Sequence, residues 1–392
     1  MDVSELRELL SAEGLRLLDE IPAWESKDDV VRVVSELRKA GHSPALVAAV
    51  VSQARLRARG TAKFGDFASR MLFTEAGLEQ ATRLRVAALH AGRFRDAGLS
   101  NIVDLGCGIG ADALAIASLD LAVTGVELDE ATAAVAAYNL APWPSASVLN
   151  ADALDIDLEP FDGVWLDPAR RSASTRRLSD PADWTPSLDF AFGVGATKPT
   201  GVKLGPGIDR DLIPDGAEAQ WISVDRDVVE LGVWFGSVAR PGIARAALVI
   251  GEHGSAELTA AADSEDASVG ELGEFLYEPD GAVIRARLIG DLARTLGGRM
   301  LDPQIAWITA DAAAVTPFAQ GFRVAETFSF DERKLKQALA ARGIGTLEIK
   351  KRGIDVDPAQ LRKKLALKGD RSATLILTRV AGKRVAILAD RL

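Results

Sequence analysis

The stretch Asn101-Ile-Val-Asp-Leu-Gly-Cys-Gly-Ile-Gly-Ala-Asp112 decides how the chain is read. Ile102, Val103 and Leu105 make a short apolar run. Glycines follow at the alternate positions 106, 108 and 110, and an Ala-rich helical spacing then carries Leu114, Ile116, Ala117 and Leu119. The order is strand, glycine turn, helix. Glycines let a backbone approach a ligand and adopt positive φ, and the first amides of the helix face whatever sits in the turn. Alone, the turn announces only a nucleotide-like ligand.

Strand and helix patterns alternate downstream, which predicts a parallel sheet. Leu121 to Val126 is a second strand running into Glu127, and Asp129 caps a helix through Asn139. Ser147 to Leu149 leads to Asn150-Ala151-Asp152, and Phe161 to Leu166 leads to Asp167-Pro168. A turn-rich basic segment, Ala169 to Asp183, precedes a helix near Pro186 to Phe192 and a fifth strand, Gly201 to Leu204. Trp221 to Val224 and Val228 to Phe235 are expected as an antiparallel hairpin at the sheet edge, with a further candidate strand at Ala244 to Ile250. Upstream, leucines at helical spacing and the Ser43-Pro44 start predict an all-helical region over 1–95 that caps the sheet.

Gly251 to Gly270 reads as a surface loop and Tyr277 to Thr309 as a small α/β unit, with one helical spacing over Val283 to Leu296. Ser329-Phe-Asp-Glu332 has capping-box spacing. It is followed by helix, strand (Thr346 to Lys350), helix (from Asp357-Pro358) and two strands that turn at Gly382-Lys383.

The acids narrow the ligand. A dinucleotide turn also uses glycines and an acid about 20 residues on, and Gly106, Gly108, Ala111 and Glu127 can be forced into that pattern. Asp104, however, stands two residues before the first glycine, where a pyrophosphate would be repelled. A carboxylate there suits the cationic methionine end of S-adenosylmethionine. Glu127 is placed to accept the ribose hydroxyls and Asp152 the adenine amino group, with Gly106, Cys107, Gly108 and Gly110 lining the turn. Four matched positions on successive strand ends lie where α/β sheets bind ligands.

Charge is unevenly spread. The chain carries 46 Lys+Arg against 56 Asp+Glu, a net of −10. Residues 331–392 hold 16 basic against 7 acidic residues, leaving 30 against 49 elsewhere. A basic tail on an acidic body suggests an anionic partner. The 392 residues predict two or three domains. One cysteine excludes an internal disulfide, and with three scattered histidines (His42, His90, His253) it does not make a usual zinc site, so no metal is expected. The charged amphipathic start and the lack of a long apolar run predict no signal peptide, no membrane span and a cytoplasmic protein.

Asp104-Leu-Gly-Cys-Gly-Ile-Gly110, Glu127, Asp152 and Asp167-Pro168 together resemble the class I methyltransferases over about residues 75–240. The resemblance implies a seven-stranded sheet with an antiparallel last strand. In amino-directed nucleic-acid methyltransferases the fourth strand ends Asp/Asn-Pro-Pro and an aromatic residue. Here Asp167 and Pro168 match, whereas Ala169, Arg170 and Arg171 stand where the second proline and the aromatic would follow. Asp167 and Pro168 are the catalytic candidates, with Arg170 stacking on a base or pairing with a phosphate in place of the aromatic. Trp165, mid-strand, is read as core. Cys107 in the cofactor turn is not placed to attack a pyrimidine C5, so transfer to a nitrogen or oxygen is expected to be direct.

The runs Gly343-Ile-Gly345, Leu347 to Gly353, Asp355 to Pro358 and Leu365 to Asp370 resemble a THUMP-like domain. Tyr277 to Gly281 and Leu301-Asp-Pro303 look like the ferredoxin-like domain that precedes it in the same family. Domains of this kind bind RNA, usually tRNA. The implied basic candidates are Lys350, Lys351, Arg352, Lys363, Lys364 and Lys368. The methyltransferase part is also distantly similar to trimethylguanosine synthase.

The expected architecture is therefore α/β, a Rossmann-like class I methyltransferase domain with an N-terminal helical domain and a small C-terminal α+β THUMP-like region. The expected boundaries are 1–95 helical, 96–250 methyltransferase, 271–325 ferredoxin-like and 326–392 THUMP-like. The expected function is S-adenosylmethionine-dependent methylation of a base nitrogen in structured RNA, tRNA or rRNA. The alternatives are a small-molecule or protein methyltransferase and a non-catalytic RNA-binding protein.

Overall fold

A computed structural model describes residues 3–21, 27–170, 184–252 and 254–392. His253, Arg171 and most of the basic segment expected at Ala169 to Asp183 lie outside these, as does the Arg170 side chain.

The described N-terminal residues form the α-helices α1 (Val3–Leu9), α2 (Ala12–Glu20), α3 (Lys27–Lys39), α4 (Pro44–Phe64), α5 (Glu75–Gln80) and α6 (Leu84–Asp96). Ser43 caps α4, its hydroxyl accepting from Leu46 N, and Pro44 occupies the first turn, where a missing N–H costs nothing. Thr74 caps α5 in the same way.

The α/β alternation then runs β1 (Asn101–Leu105), α7 (Ala111–Ala117), β2 (Ala122–Glu127), α8 (Glu130–Leu140), β3 (Ala146–Asn150), β4 (Gly163–Leu166), β5 (Ala169–Arg170), β6 (Trp184–Thr185), α9 (Leu188–Gly195) and β7 (Thr200–Leu204). It continues as β8 (Glu218–Val224), β9 (Asp227–Phe235), β10 (Arg245–Gly251) and β11 (Gly254–Ala260). The last elements are β12 (Phe275–Pro279), α10 (Gly281–Arg285), α11 (Ile289–Thr295), β13 (Arg299–Asp302), β14 (Ile305–Ala310), β15 (Ala319–Ser329), α12 (Glu332–Ala341), β16 (Ile344–Lys351), α13 (Pro358–Leu365), β17 (Arg371–Val380) and β18 (Lys383–Arg391).

The chain divides into two compact units. The first holds residues 1–204, 208–215 and 233–239. Its strands are ordered β9-β7-β4-β1-β2-β3, with β9 contributing its last residues. Pairing is parallel from β7 through β3. Helices and sheet share one core: Leu9, Val50 and Phe64 from the N-terminal helices join Ile109, Leu114 and Ile116 around the glycine turn and Trp165 and Trp234 from the sheet. Asn139 on α8 locks the joint. Its amide accepts from Leu72 N and donates to the carbonyls of Leu72 and Ile109.

The second unit holds residues 205–207, 216–232 and 240–392. Here β11-β10-β8-β9 are neighbours, β10 parallel to β8 and antiparallel to β11. The β8–β9 hairpin is therefore not an edge, because two further strands extend beyond β8. The stretch read as loop contains β11, whose sequence, Gly-Ser-Ala-Glu-Leu-Thr-Ala, is polar enough to hide an outer strand. A seven-stranded sheet, ordered β13-β14-β12-β15-β18-β17-β16, takes strands from both segments expected as separate small domains. Trp307 and Phe322 pack with Ile376, Ile387 and Ala389 on one face, while α12 and α13 cover another cluster with Leu335, Leu339, Leu361 and Leu365.

Two local expectations change. The helical spacing from Val283 to Leu296 is broken at Arg287, which has φ +59° and separates α10 from α11. Ser329 stays in β15, and Asp331 caps α12, accepting from Lys334 N at 2.8 Å. Ala381 and Gly382, at φ +48° and +76°, make the tight β17–β18 turn. Among the described residues no helix is long and apolar enough to cross a membrane, and no group of His, Cys, Asp or Glu converges as a metal site would.

Candidate active site

The site lies in the first unit, at the carboxyl ends of β4, β1, β2 and β3. Parallel pairing brings these ends to one edge. The glycine turn leaves β1 with φ +83°, +56° and +84° at Gly106, Gly108 and Gly110. At Gly106 a β-carbon would sit 3.1 Å from the Asp167 carbonyl oxygen, so the turn and the end of β4 touch through their backbones. Gly106 N and Cys107 N both donate to Val126 O, fastening the turn to β2.

Glu127 completes that fastening. One carboxylate oxygen accepts from Gly108 N at 3.0 Å and the other from Asp129 N at 2.9 Å. The acid expected to hold ribose hydroxyls therefore also shapes the turn. Asp152 accepts from Leu154 N at 2.9 Å and caps the short 3-10 turn Ala153–Asp155.

Asp104 has a different environment. It is 1% exposed, and among the described residues its carboxylate has no well-formed hydrogen bond, only the Ala113 backbone N–H facing it as a weak donor. Burial first, then the charges of Asp112 and Asp167, push its carboxyl well above the ordinary range, with Lys203 and the Ala113 N–H pulling the other way. A buried acid with so little hydrogen bonding is costly. It fits a site completed by a cationic ligand, and the ammonium of S-adenosylmethionine is such a group.

Cys107 is buried, and its sulfur lies over Gly125, where a β-carbon would come within 2.9 Å of it. Burial, then Asp104 and Glu127, push the thiol up, which keeps it protonated and non-nucleophilic.

Asp167 follows β4, its N–H donating to Leu105 O at 3.2 Å. Its Oδ2 lies 2.5 Å from Lys203 Nζ, with the two side chains 29% and 12% exposed. Pro168 is buried. Arg170 sits in β5, paired to Trp184 of β6. Trp165 is fully buried against His90 and Trp234, as a core residue.

Behind these acids runs a buried polar chain that sequence reading missed. Lys203 Nζ donates to Thr82 Oγ1 at 3.0 Å, and Thr82 donates to Asp112 Oδ2 at 2.6 Å. Asp112 Oδ1 lies 2.9 Å from His90 Nδ1. Burial raises the Asp112 carboxyl, but His90, Lys203 and Thr82 outweigh that and hold it below the ordinary value. A lysine inside the apolar run Thr200–Leu204 was the available signal. Its partners, far away in sequence, were not readable.

The expected RNA-binding residues lie in the second unit. Lys351, Lys363, Lys364 and Lys368 are exposed, and Lys364 pairs with Glu332 at 2.9 Å. Lys350 and Arg352 are partly buried around Glu278, at 2.7 and 3.7 Å.

Comparisons with known proteins show what the chain is similar to. Residues 102–173 match a family model described as a methyltransferase domain, and residues 319–391 match one described as THUMP domain-like. Residues 2–60 match a domain of unknown function. Two proteins of Mycobacterium tuberculosis, from strains CDC 1551 / Oshkosh and H37Rv, are each 34% identical over 343 residues, covering 84% of this chain and 92% of their own length. Both are named uncharacterized S-adenosylmethionine-dependent methyltransferases. A crystal structure from Porphyromonas gingivalis W83, provisionally described as a methyltransferase, superposes with a TM-score of 0.72 at 21% identity. It covers 94% of this chain and 100% of that one, a likeness of fold.

Proposed function

The chain belongs to the S-adenosylmethionine-dependent methyltransferases, and from that footing we propose that its acceptor is a base nitrogen of structured RNA, a tRNA or an rRNA. The observation that carries the substrate reading is the THUMP-like region at 319–391. The 16 to 7 excess of basic over acidic residues in 331–392 supports it, because phosphate contact supplies much of the affinity for nucleic acid.

When bound, the cofactor supplies an electrophilic methyl group on a sulfonium. The protein's part is binding and orientation. Asp104 receives the ammonium, Glu127 the ribose hydroxyls and Asp152 the adenine amino group, while Gly106, Cys107, Gly108 and Gly110 form the floor. Asp167 takes an N–H of the acceptor so that the nitrogen lone pair faces the methyl. Pro168 stiffens that corner, and Arg170 takes the place of the missing aromatic. With the Cys107 thiol protonated and buried, attack is direct, and positioning and desolvation lower the barrier. The acceptor's proton leaves to water.

Lys351, Lys363, Lys364 and Lys368 are the phosphate-binding groups of this reading. Lys350 and Arg352 contribute less, being committed to Glu278. A distant similarity of the methyltransferase part to trimethylguanosine synthase belongs to the same reading, with the aromatic after Asp167-Pro168 missing here. A cytoplasmic location is part of this reading.

The test is transfer of labelled methyl from S-adenosylmethionine into three separated pools: bulk RNA, protein and small molecules. Label in RNA supports the reading. Label only in protein or small molecules favours the alternative acceptor class, and cofactor-independent RNA binding with no transfer leaves a non-catalytic binder.

A further inference from the structure

Lys203 has no role in the chemistry described so far, yet it pairs with the acceptor acid. We propose that Lys203 is a positioning residue for Asp167: its ammonium holds Oδ2 and so sets the orientation in which the carboxylate meets the acceptor's N–H. The proposal deepens the RNA-methylation reading and rests on Asp167 as the acceptor-orienting acid.

The geometry is a closed ring. Asp167 ends β4, and its Oδ2 meets Lys203 Nζ at 2.5 Å. Lys203, near the end of the neighbouring β7, spends its other donors on Thr82 Oγ1 at 3.0 Å and Gln80 O at 3.4 Å. Thr82 gives its only proton to Asp112, so a lone pair must face the lysine. Asp112 takes its second bond from His90, and the His90 ring packs on Trp165 at 4.4 Å between centroids. Trp165 belongs to β4, two residues before Asp167. The chain of interactions returns to the strand it started from. Each member has its orientation set by the next, as a catalytic group held to a fraction of an ångström requires.

Charge gives the second argument. Asp104 on β1, Asp112 on α7 and Asp167 after β4 lie together, and Lys203 on β7 and His90 on α6 are charges that oppose them. Without the lysine, Asp167 would stand next to two buried acids. It would hold its proton to higher pH and lose the acceptor role.

Three variants test this: Lys203→Met, the milder Thr82→Val, which unseats the ammonium but keeps its charge, and Asp167→Asn. Methyl transfer to RNA is followed from pH 5 to 9. The proposal expects Lys203→Met to lower kcat by about a hundredfold and to move the acidic limb of the profile up by about one pH unit or more. Thr82→Val should show a smaller effect in the same direction. A fall in rate with an unmoved acidic limb would mean a merely structural lysine and would overturn the proposal. Urea unfolding of Lys203→Met, Asp167→Asn and the double variant needs no RNA. The cycle should show coupling of about tenfold in the folding constant. Zero coupling overturns the pair even if RNA is methylated. Intact coupling in a protein that methylates no RNA overturns the RNA reading instead.

Discussion

Replacing Asp104 with asparagine should make the cofactor-free protein more stable and its cofactor binding weaker. The side chain is buried, with the Ala113 backbone N–H as a weak donor and no well-formed hydrogen bond among the described residues. Burial and the nearby Asp112 and Asp167 raise its carboxyl. Between the ordinary carboxylate value and the raised one, the native state keeps a proton that the unfolded chain has released. Unfolding then releases a proton, and stability falls with rising pH by about 1.4 kcal/mol per pH unit across that window. Asparagine has the same shape and no charge, so Asp104→Asn removes the slope. Its advantage should be small near pH 4 and grow toward neutrality. Cofactor binding reverses the balance, since the wild-type site gains a charge-assisted bond worth about 1.5–3 kcal/mol. Its loss should weaken S-adenosylmethionine about ten- to a hundredfold. Wild type should also release protons on binding, seen as a calorimetric enthalpy that changes with the buffer's ionisation heat. Urea unfolding across pH 5–8 and titration calorimetry in two buffers measure all three effects. An Asp104→Asn protein that binds the cofactor as wild type does, or that is less stable throughout this range, would refute the reasoning.

Other perturbations follow from the same structure. Arg240 binds fully buried Glu218 through its main-chain N–H and its guanidinium, which also pairs with Glu257; Arg240→Ala should cost about 3–5 kcal/mol in chemical unfolding, as expected when a buried acid loses its cation, and a loss under about 1 kcal/mol would contradict it. At Gly201 a β-carbon would lie 2.6 Å from the Trp165 ring and 2.7 Å from Trp234; Gly201→Ala should lower stability by about 1–3 kcal/mol, and an unchanged urea midpoint would count against the packing. Charge reversal at Lys351, Lys363 and Lys368 together should weaken RNA binding and flatten the plot of log affinity against log salt by about 0.7–0.9 for each phosphate no longer neutralised; an unaltered slope would remove these residues from the interface. Point changes are preferable to deleting 326–392, which would take Ile376, Ile387 and Ala389 out of the core around Trp307 and Phe322.

What the sequence made legible was local or repetitive. The glycine turn, the acids at the ends of β1 to β4 and the Asp129 cap are each set by a few adjacent residues, and a βα repeat sends its strand ends to one edge. The seven-stranded sheet was harder because its strand order, β13-β14-β12-β15-β18-β17-β16, follows neither chain order nor a fixed period. Strand β11 escaped notice for want of an apolar face. Ser329 looked like a cap by spacing, but β15 continues through it and leaves the capping to Asp331. In the candidate site, the residues on the turn could be named from spacing alone. The ring through Lys203, Thr82, Asp112 and His90 joins β7, the α5–α6 link, α7 and α6, and no spacing rule connects a lysine with an aspartate 36 positions away across a parallel sheet.

The central claim is that a base nitrogen of RNA receives the methyl group beside Asp167. RNA from cells lacking the protein, incubated with pure protein and labelled S-adenosylmethionine and then digested to nucleosides, tests it most directly. The account predicts label in one N-methylated nucleoside, lost with Asp167→Ala while cofactor binding persists. Unlabelled RNA, or label on a pyrimidine C5, would contradict it.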